Sequence, residues 1–260
     1  MCIRDSNYDE TVPTRNVKVR EALNIAIDRA LINDSFFGGD AIPSAVSHMA
    51  EWWDFFQDRW APIPGPDGKT GAAGGWPYPY DPERAKELLA EAGYPDGFEL
   101  DFFAANNWGG VPEIPNVGEA IAAMWEEIGI KVNLETGERG PVQTMYSNRE
   151  MNGKVDLIRW SLNPPSAGMG WLWYEASRPY YEQQFITDWK RNVDTIADPA
   201  TRVEEFIKLG DFWYDNYLSI PLLWAFGKAV FNPAVLEGYE TSHVHFGPVR
   251  YHEYTVPVYK

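Results

Sequence analysis

The chain has 260 residues, of which 45% are apolar, so it is long enough to bury a sizeable core in one large domain or two small ones. Its 22 basic and 38 acidic residues give a formal net charge of −16, and so acidic a surface argues against binding to nucleic acid or to anionic membrane surfaces. The single cysteine, Cys2, excludes a disulfide within the chain and any metal site built from several cysteines.

The beginning of the chain has two parts. Residues 1–6 share no pattern with the rest of the chain, and we expect them to be a non-native leader without a place in the fold. No signal-peptide pattern is present, and no apolar run approaches the roughly 20 residues that span a bilayer. Residues 17 to about 31 carry apolar side chains at intervals of three and four, which predicts one helix. Gly38 and Gly39 close this region.

Residues 40–80 hold many prolines and glycines together with four tryptophans. They predict a long loop, and its aromatic residues argue against disorder. Asp81 and Pro82 then begin the clearest helix of the sequence, because an aspartate can accept hydrogen bonds from the first free amides and proline suits the first turn. Gly93 is predicted to end this helix in the left-handed conformation.

Apolar and polar residues alternate in residues 98–102 and 130–134, which predicts two strands on either side of a helix. Residues 156–160 predict a third strand. Strand, helix and strand at this spacing predict a βαβ unit, so part of the sheet should be parallel and covered by helices. Asp198 is predicted to cap a later helix, and residues 219–230 predict a strand or hairpin.

The sequence offers no catalytic or metal-binding motif. His243 and His245 would share one face of a strand, with His252 and Glu253 nearby, but spacing fixes no further ligand, and a polar edge near the C-terminus explains them better than a metal site. Adjacent glutamate pairs lie on predicted helices and indicate solvated faces rather than catalytic carboxylates. Nucleophile-elbow and phosphate-binding motifs are absent. We therefore expect no enzymatic activity, no bound metal and no cofactor.

A cluster of tryptophans comes after the third predicted strand. Trp160, Ser161 and Asn163 lie where that strand enters a loop, and Trp171 and Trp173 come soon after. Ligands of α/β sheets bind at the carboxyl ends of strands, where tryptophan faces can stack and an amide can both donate and accept. Each tryptophan alone could equally pack in the core, but the cluster as a whole favours a binding site.

Three segments resemble the hallmarks of a known family. Residues 19–29 (VREALNIAIDR) resemble the helix that opens the C-terminal lobe of extracellular solute-binding proteins of the oligopeptide and dipeptide class, solute-binding family 5. Residues 80–94 (YDPERAKELLAEAGY) and 128–132 (IGIKV) resemble the second and third hallmarks, in the family's order and spacing. The resemblance covers the chain from about residue 8 to its end.

The resemblance implies an α/β fold: a lobe like those of type II periplasmic binding proteins, with a mixed sheet flanked by helices and truncated at its N-terminus. Residues 7–224 would form this lobe, and residues 225–260 would cross back to an N-terminal lobe outside this chain, so that the chain alone should bind weakly. Such a receptor closes on a peptide, an oligosaccharide or another solute in the periplasm or extracellular space and delivers it to an ABC permease. We expect it to be a monomer.

The candidate ligand-binding residues come from the cluster, from the loop after the first predicted strand and, for the last of them, from likeness to an aromatic residue of the family's cleft: Asn107, Trp108, Trp160, Ser161, Asn163, Trp171, Trp173 and Trp224. In peptide-binding members an aspartate shortly after the tryptophan of the cleft strand pairs with the peptide's ammonium group. Aligned on Trp160, this chain has Asn163 instead, and a neutral amide leaves a buried ammonium group without its counter-charge. Neutral polyhydroxy ligands and blocked peptides are therefore favoured over free peptides.

Two other classes of protein stay open from the sequence. A carbohydrate-active enzyme fragment with a tryptophan-lined cleft would need two carboxylates facing each other at roughly 5 Å or 6.5–9.5 Å, for which the spacing offers no pair. A protein-interaction lobe without a small ligand would show no change of tryptophan fluorescence with sugars or peptides.

Overall fold

The computed structural model describes most of the chain: residues 1–5, 9–43, 56–60, 78–105, 111–158, 183–225, 232, 234, 236–240 and 256–259. Most of the predicted loop at 40–80 and the histidines at 243, 245 and 252 lie outside these described residues. Among the described helices, none combines the length and the apolar character needed to cross a membrane.

The helices follow the predicted pattern in part. Their bounds are α1 Val17–Ile25, α2 Arg29–Phe37, α3 Pro82–Glu91, α4 Ile114–Glu127, α5 Arg139–Ser147, α6 Gln184–Val193 and α7 Pro199–Asp215. Short 3₁₀ turns lie at Pro13–Arg15 and Asp58–Trp60. Asp81 and Asp198 accept a hydrogen bond from the third amide of α3 and α7, at 2.9 and 2.8 Å, which confirms both predicted caps. Helices α5 and α6 were not predicted.

The single helix predicted over residues 17–31 is wrong. The chain leaves the helical conformation after α1, and at Asp28 it has φ −77° and ψ 91°. The Asp28 carboxylate accepts a hydrogen bond from the Leu31 amide at 2.9 Å and so starts α2 as a separate helix. The left-handed Gly38, with φ +64°, ends α2. Apolar spacing does not reveal this break, because α1 and α2 both bury side chains in the same core.

The strands are β1 Cys2–Asp5, β2 Ile42–Pro43, β3 Glu99–Phe103, β4 Lys131–Glu135, β5 Val155–Ile158, β6 Ser219–Pro221, β7 Leu223–Trp224, β8 Leu236–Glu240 and β9 Val256–Tyr259. A sheet of five has the order β4-β3-β5-β1-β6. Strand β3 is parallel to both β4 and β5, whereas β1 is antiparallel to both β5 and β6. The predicted parallel βαβ unit is confirmed in β3–α4–β4, and the sheet is mixed, as the resemblance implied. The remaining strands form two small ribbons, β2 with β7 and β8 with β9.

The expectation that residues 1–6 have no place in the fold is wrong for Cys2–Asp5, which form β1 inside the sheet. Ile3 lies opposite Leu157 on one side and Ile220 on the other. The Ile3 side chain is 1% exposed, because every second residue of a strand in this sheet points into the apolar core. The origin of this segment as a leader stays a prediction.

Apolar side chains cover both faces of the sheet. On β3 and just beyond it, Leu100, Phe102 and Ala104 join the core beneath α1, α2, α3 and α4, whereas Phe103 and Ala105 join a second core with α5, α6 and α7. This alternation is the strand period of two. The helices that pack against the two faces make the α/β layered fold that positions the site.

Candidate ligand-binding edge

Four strands of the sheet, β3, β4, β5 and β6, end on one side, and the candidate residues follow three of them. Strand β5 is parallel to β3, with Phe103 opposite Asp156. Strand β6 runs in the same direction, because β5 and β6 are both antiparallel to β1 between them. The chain therefore leaves β3, β5 and β6 on the same side, which we call the carboxyl edge. In α/β sheets this edge is where ligands bind.

The candidate residues come after the strands that meet at the carboxyl edge. Asn107 and Trp108 come after β3 in the sequence, and Trp224 ends β7, which begins two residues after the end of β6. The cluster that begins at Trp160 comes after β5. The candidates outside the described residues are Asn107, Trp108, Trp160, Ser161, Asn163, Trp171 and Trp173. The structure brings together the ends of the strands that these candidate residues follow in the sequence.

Trp224 is the candidate whose surroundings are described. It is half-buried and lies opposite Ile42 in the two-stranded ribbon of β2 and β7. The ribbon continues from Pro221, the last residue of β6, and so stands at the carboxyl edge. An indole that is partly exposed at this position can offer a flat apolar face to a ligand.

A buried polar network, which the sequence analysis did not identify, joins β5 to α5 beside this edge. Asp156 is 0% exposed, and its carboxylate accepts a hydrogen bond from the Arg139 guanidinium and another from the Tyr146 hydroxyl. Arg139 begins α5 and Tyr146 lies two turns later on the same face, where the guanidinium carbon is 5.7 Å from the ring centre. The signal in the sequence is an aspartate between Val155 and Leu157 in a fully buried strand, since such a carboxylate requires partners.

Asp156 is fully buried on β5, and the hydrogen bonds that it accepts from Arg139 and Tyr146 join β5 to α5, which is a structural role. A general acid or base must reach the substrate, whereas both oxygens of this carboxylate face α5. Among the described residues, no group of three His, Cys, Asp or Glu side chains could hold a metal ion.

A cluster of aromatic and charged side chains attaches the two described parts of the long loop to α7. The Tyr78 ring stacks on Tyr214 at 5.7 Å, and the guanidinium carbon of Arg59 lies 5.3 Å from the Tyr214 ring centre. The Trp60 indole, 0% exposed, donates to Asp211 at 2.9 Å. Burial raises the pKa of the Tyr78 phenol well above its ordinary value of 10. Of the four tryptophans of this loop, Trp60 lies among the described residues, and it is a core residue.

The sequence matches the model of a known protein family. Residues 7–180 match the model of the bacterial extracellular solute-binding proteins, family 5 Middle. The chain belongs to this family. It is 37% identical to heme-binding protein A of Haemophilus influenzae over 162 residues, which are 58% of this chain and 25% of that protein. It is 26% identical to the glutathione-binding protein GsiB of Escherichia coli K12 over 223 residues, 81% of this chain and 40% of that protein.

The solved structures agree on the fold. The periplasmic binding protein DppA of Helicobacter pylori, an ABC transporter-associated protein in complex with the peptide STSA, superposes with a TM-score of 0.64 at 22% identity. The match covers 87% of this chain and 42% of DppA, and it confirms the type II periplasmic-binding-protein fold. The chain thus spans between a quarter and two fifths of the curated relatives' length.

Proposed function

We propose that the chain supplies the solute-binding lobe of the substrate-binding component of an ABC importer, acting in the periplasm or extracellular space as a monomer. In this role it captures a peptide or an oligosaccharide-like solute by lobe closure and passes it to a membrane permease. The observation that carries the proposal is the carboxyl edge, where β3, β5 and β6 end together and from which every candidate ligand-binding residue continues in sequence. Family membership supplies the transport context.

The edge suits capture without chemistry. Strands β3 and β5 are held between two apolar cores, so they form a rigid base for the site. A rigid base lowers the entropy that is lost when a solute binds. Tryptophan faces supply apolar contact area, and amide groups such as that of Asn163 supply orientation by hydrogen bonding. Closure of a second lobe would then exclude water from the bound solute.

The class of solute depends on Asn163. The two curated relatives are named for heme and for glutathione, whose chemistries differ. Glutathione carries a free ammonium group, whereas heme is a flat macrocycle with carboxylates and no ammonium group. A neutral amide at Asn163 favours a solute without a free ammonium group, and tryptophan faces supply stacking area for flat or apolar ligands, so we place heme-like, blocked-peptide and oligosaccharide ligands ahead of free peptides.

Calorimetry with a matched panel tests this proposal on the whole chain. The panel is hemin, reduced glutathione, one tetrapeptide with free and with acetylated amino terminus, and maltotriose. We expect hemin, the acetylated peptide or maltotriose to bind more tightly than the free peptide. The variant Asn163→Asp should reverse this order for the peptide pair, because it restores the counter-charge of an ammonium group.

Three results would contradict the proposal in different ways. Tighter binding of the free peptide by the unaltered chain would refute the role of Asn163. Release of reducing sugars from the oligosaccharide would indicate a carbohydrate-active enzyme instead. No heat of binding and no change of tryptophan fluorescence with any member of the panel, titrated to the millimolar concentrations at which weak binding by one lobe is still measurable, would favour a protein-interaction lobe.

A further inference from the structure

Helix α2 buries two polar side chains one turn apart. Arg29 is 2% exposed and Asn33 is 0% exposed, and their spacing of four residues places them on one face of the helix. A buried guanidinium and a buried amide are costly unless hydrogen bonds satisfy them. The partners of these two side chains therefore show which part of the fold they hold.

Arg29 holds the strand that leads to Trp224. Its Nε donates to the carbonyl oxygen of Pro221 at 2.9 Å, and its Nη1 donates to the carbonyl oxygen of Asn24 at 3.1 Å. The Tyr78 ring lies over the guanidinium, 5.5 Å from its carbon. Burial lowers the pKa of Arg29 to about 10, so the side chain keeps its charge at neutral pH. Pro221 is the last residue of β6, and one residue separates it from β7, the ribbon strand that carries Trp224.

Asn33 holds the other strand of the same ribbon. Its Nδ2 donates to the carbonyl oxygen of Ala41 at 3.1 Å, and its Oδ1 accepts from the Ala41 amide at 3.0 Å. Both functional groups of the side chain thus bind one backbone residue, which fixes the position and direction of the chain there. Ala41 directly precedes Ile42, the residue opposite Trp224.

We propose that Arg29 and Asn33 are positioning residues that set the orientation of Trp224 at the carboxyl edge. The ribbon of β2 and β7 has two residue pairs in register, and a ribbon so short is not stable by itself. Helix α2 holds the chain next to each strand of the ribbon: Asn33 binds Ala41 immediately before β2, and Arg29 binds Pro221 two residues before β7 begins. That Trp224 then touches a solute rests on the proposed function, whereas its fixed orientation does not.

Fluorine NMR of the whole chain labelled with 5-fluorotryptophan tests the fixed orientation directly. The variant Trp224→Phe identifies the Trp224 resonance by its loss. In Asn33→Ala and in Arg29→Lys we expect that resonance to shift or broaden below the melting temperature. The resonance of Trp125, an indole 0% exposed whose Nε1 donates to the Leu23 carbonyl at 2.9 Å, should not move.

Arg20→Lys is the matched control. Arg20 is also buried, at 3% exposure, and its described hydrogen bonds go to the backbone carbonyls of Thr14, Arg15 and Asn216, none of which lies in the ribbon. It should lower the melting temperature and leave the Trp224 resonance in place. A merely structural role for Arg29 and Asn33 predicts the same pattern for all three variants. An unmoved Trp224 resonance in Asn33→Ala and Arg29→Lys, or equal shifts of every tryptophan, would overturn the proposal.

Ligand binding separates this inference from the proposed function. If both hold, Asn33→Ala should weaken the tightest-binding member of the calorimetric panel by about tenfold, because one aromatic stack is lost or misaligned. A moved Trp224 resonance with unchanged affinity would keep the positioning role and remove Trp224 from the binding site. An unmoved resonance would refute the positioning role whatever the affinity does.

Discussion

Removing the carboxylate of Asp156 should destabilise the fold more than most single substitutions. In Asp156→Ala, the Arg139 guanidinium is left at 8% exposure without this counter-charge, and the Tyr146 hydroxyl, in a side chain 2% exposed, loses this hydrogen bond. Breaking a buried ion pair on one side costs about 3–5 kcal/mol, and the loss of one hydrogen bond costs about 0.5–1.5 kcal/mol. Because these losses overlap, we expect about 4 kcal/mol, against a total stability of about 5–15 kcal/mol for a typical domain.

Urea unfolding followed by circular dichroism measures this loss, and two matched variants give it a cause. Asp156→Asn keeps an acceptor for Tyr146 and removes only the charge, so it should cost less than Asp156→Ala. The double variant Asp156→Leu with Arg139→Met replaces both charges with apolar groups and should recover most of the stability. A cost below about 1 kcal/mol for Asp156→Ala, or a double variant as unstable as the single one, would refute the reasoning.

Three further substitutions test other parts of the structure. Gly97→Ala should lower the unfolding free energy by at least about 3 kcal/mol in urea, because Gly97 has φ +72° and a Cβ there would lie 1.8 Å from the Gly129 carbonyl oxygen. Burial raises the pKa of Tyr78 in the folded state, so the unfolded state loses its phenolic proton first as the pH rises. In the unaltered chain, the stabilisation present below pH 10 should therefore fall by up to about 1.4 kcal/mol per pH unit above it. Tyr78→Phe should reduce this loss of stability between pH 9 and 10.5. Lys131→Met should change stability by less than about 0.5 kcal/mol at any salt concentration, because the Lys131 and Glu99 side chains are 72% and 62% exposed.

Local chemistry made the βαβ unit predictable. Asp81 and Pro82 are start signals that act within one turn, and Gly93 and Gly129 adopt the left-handed conformation, with φ +94° and +96°, that ends a helix. Strands β3 and β4 alternate in the sequence because one face of each packs on α4. These features depend on neighbours within a few residues, so the sequence contains them in full.

Features that depend on distant partners were not predictable in the same way. The break between α1 and α2 depends on Asp28, which could equally have stood on an exposed helix face. The place of β1 depends on β5 and β6, whose register partners Leu157 and Ile220 are more than a hundred residues away in sequence. A four-residue segment contains no pattern that predicts which strands it will pair with.

Close packing at the edge shows the same limit. Gly118 lies in α4, and a Cβ there would stand 2.2 Å from the Ala104 Cβ just beyond β3. Helix α4 can therefore approach the carboxyl end of β3 only because both residues are small. The sequence shows a glycine within a helical pattern, which by propensity alone would weaken the helix, and its purpose becomes visible only once the strand beside it is known.

The buried polar side chains lie where the candidate site needs rigidity. Asp156 fixes β5 two residues before that strand ends, and on the far side of β1 Arg29 fixes the end of β6 before Trp224. Apolar side chains of similar size would stabilise the core at least as well, since desolvation of a charge offsets much of its attraction. Hydrogen bonds, unlike apolar contacts, specify direction as well as distance. A binding surface that must present flat rings and amides at fixed angles gains from this property. We therefore expect Asp156 and Arg29 to affect ligand affinity through the geometry of the carboxyl edge and not through contact with the solute.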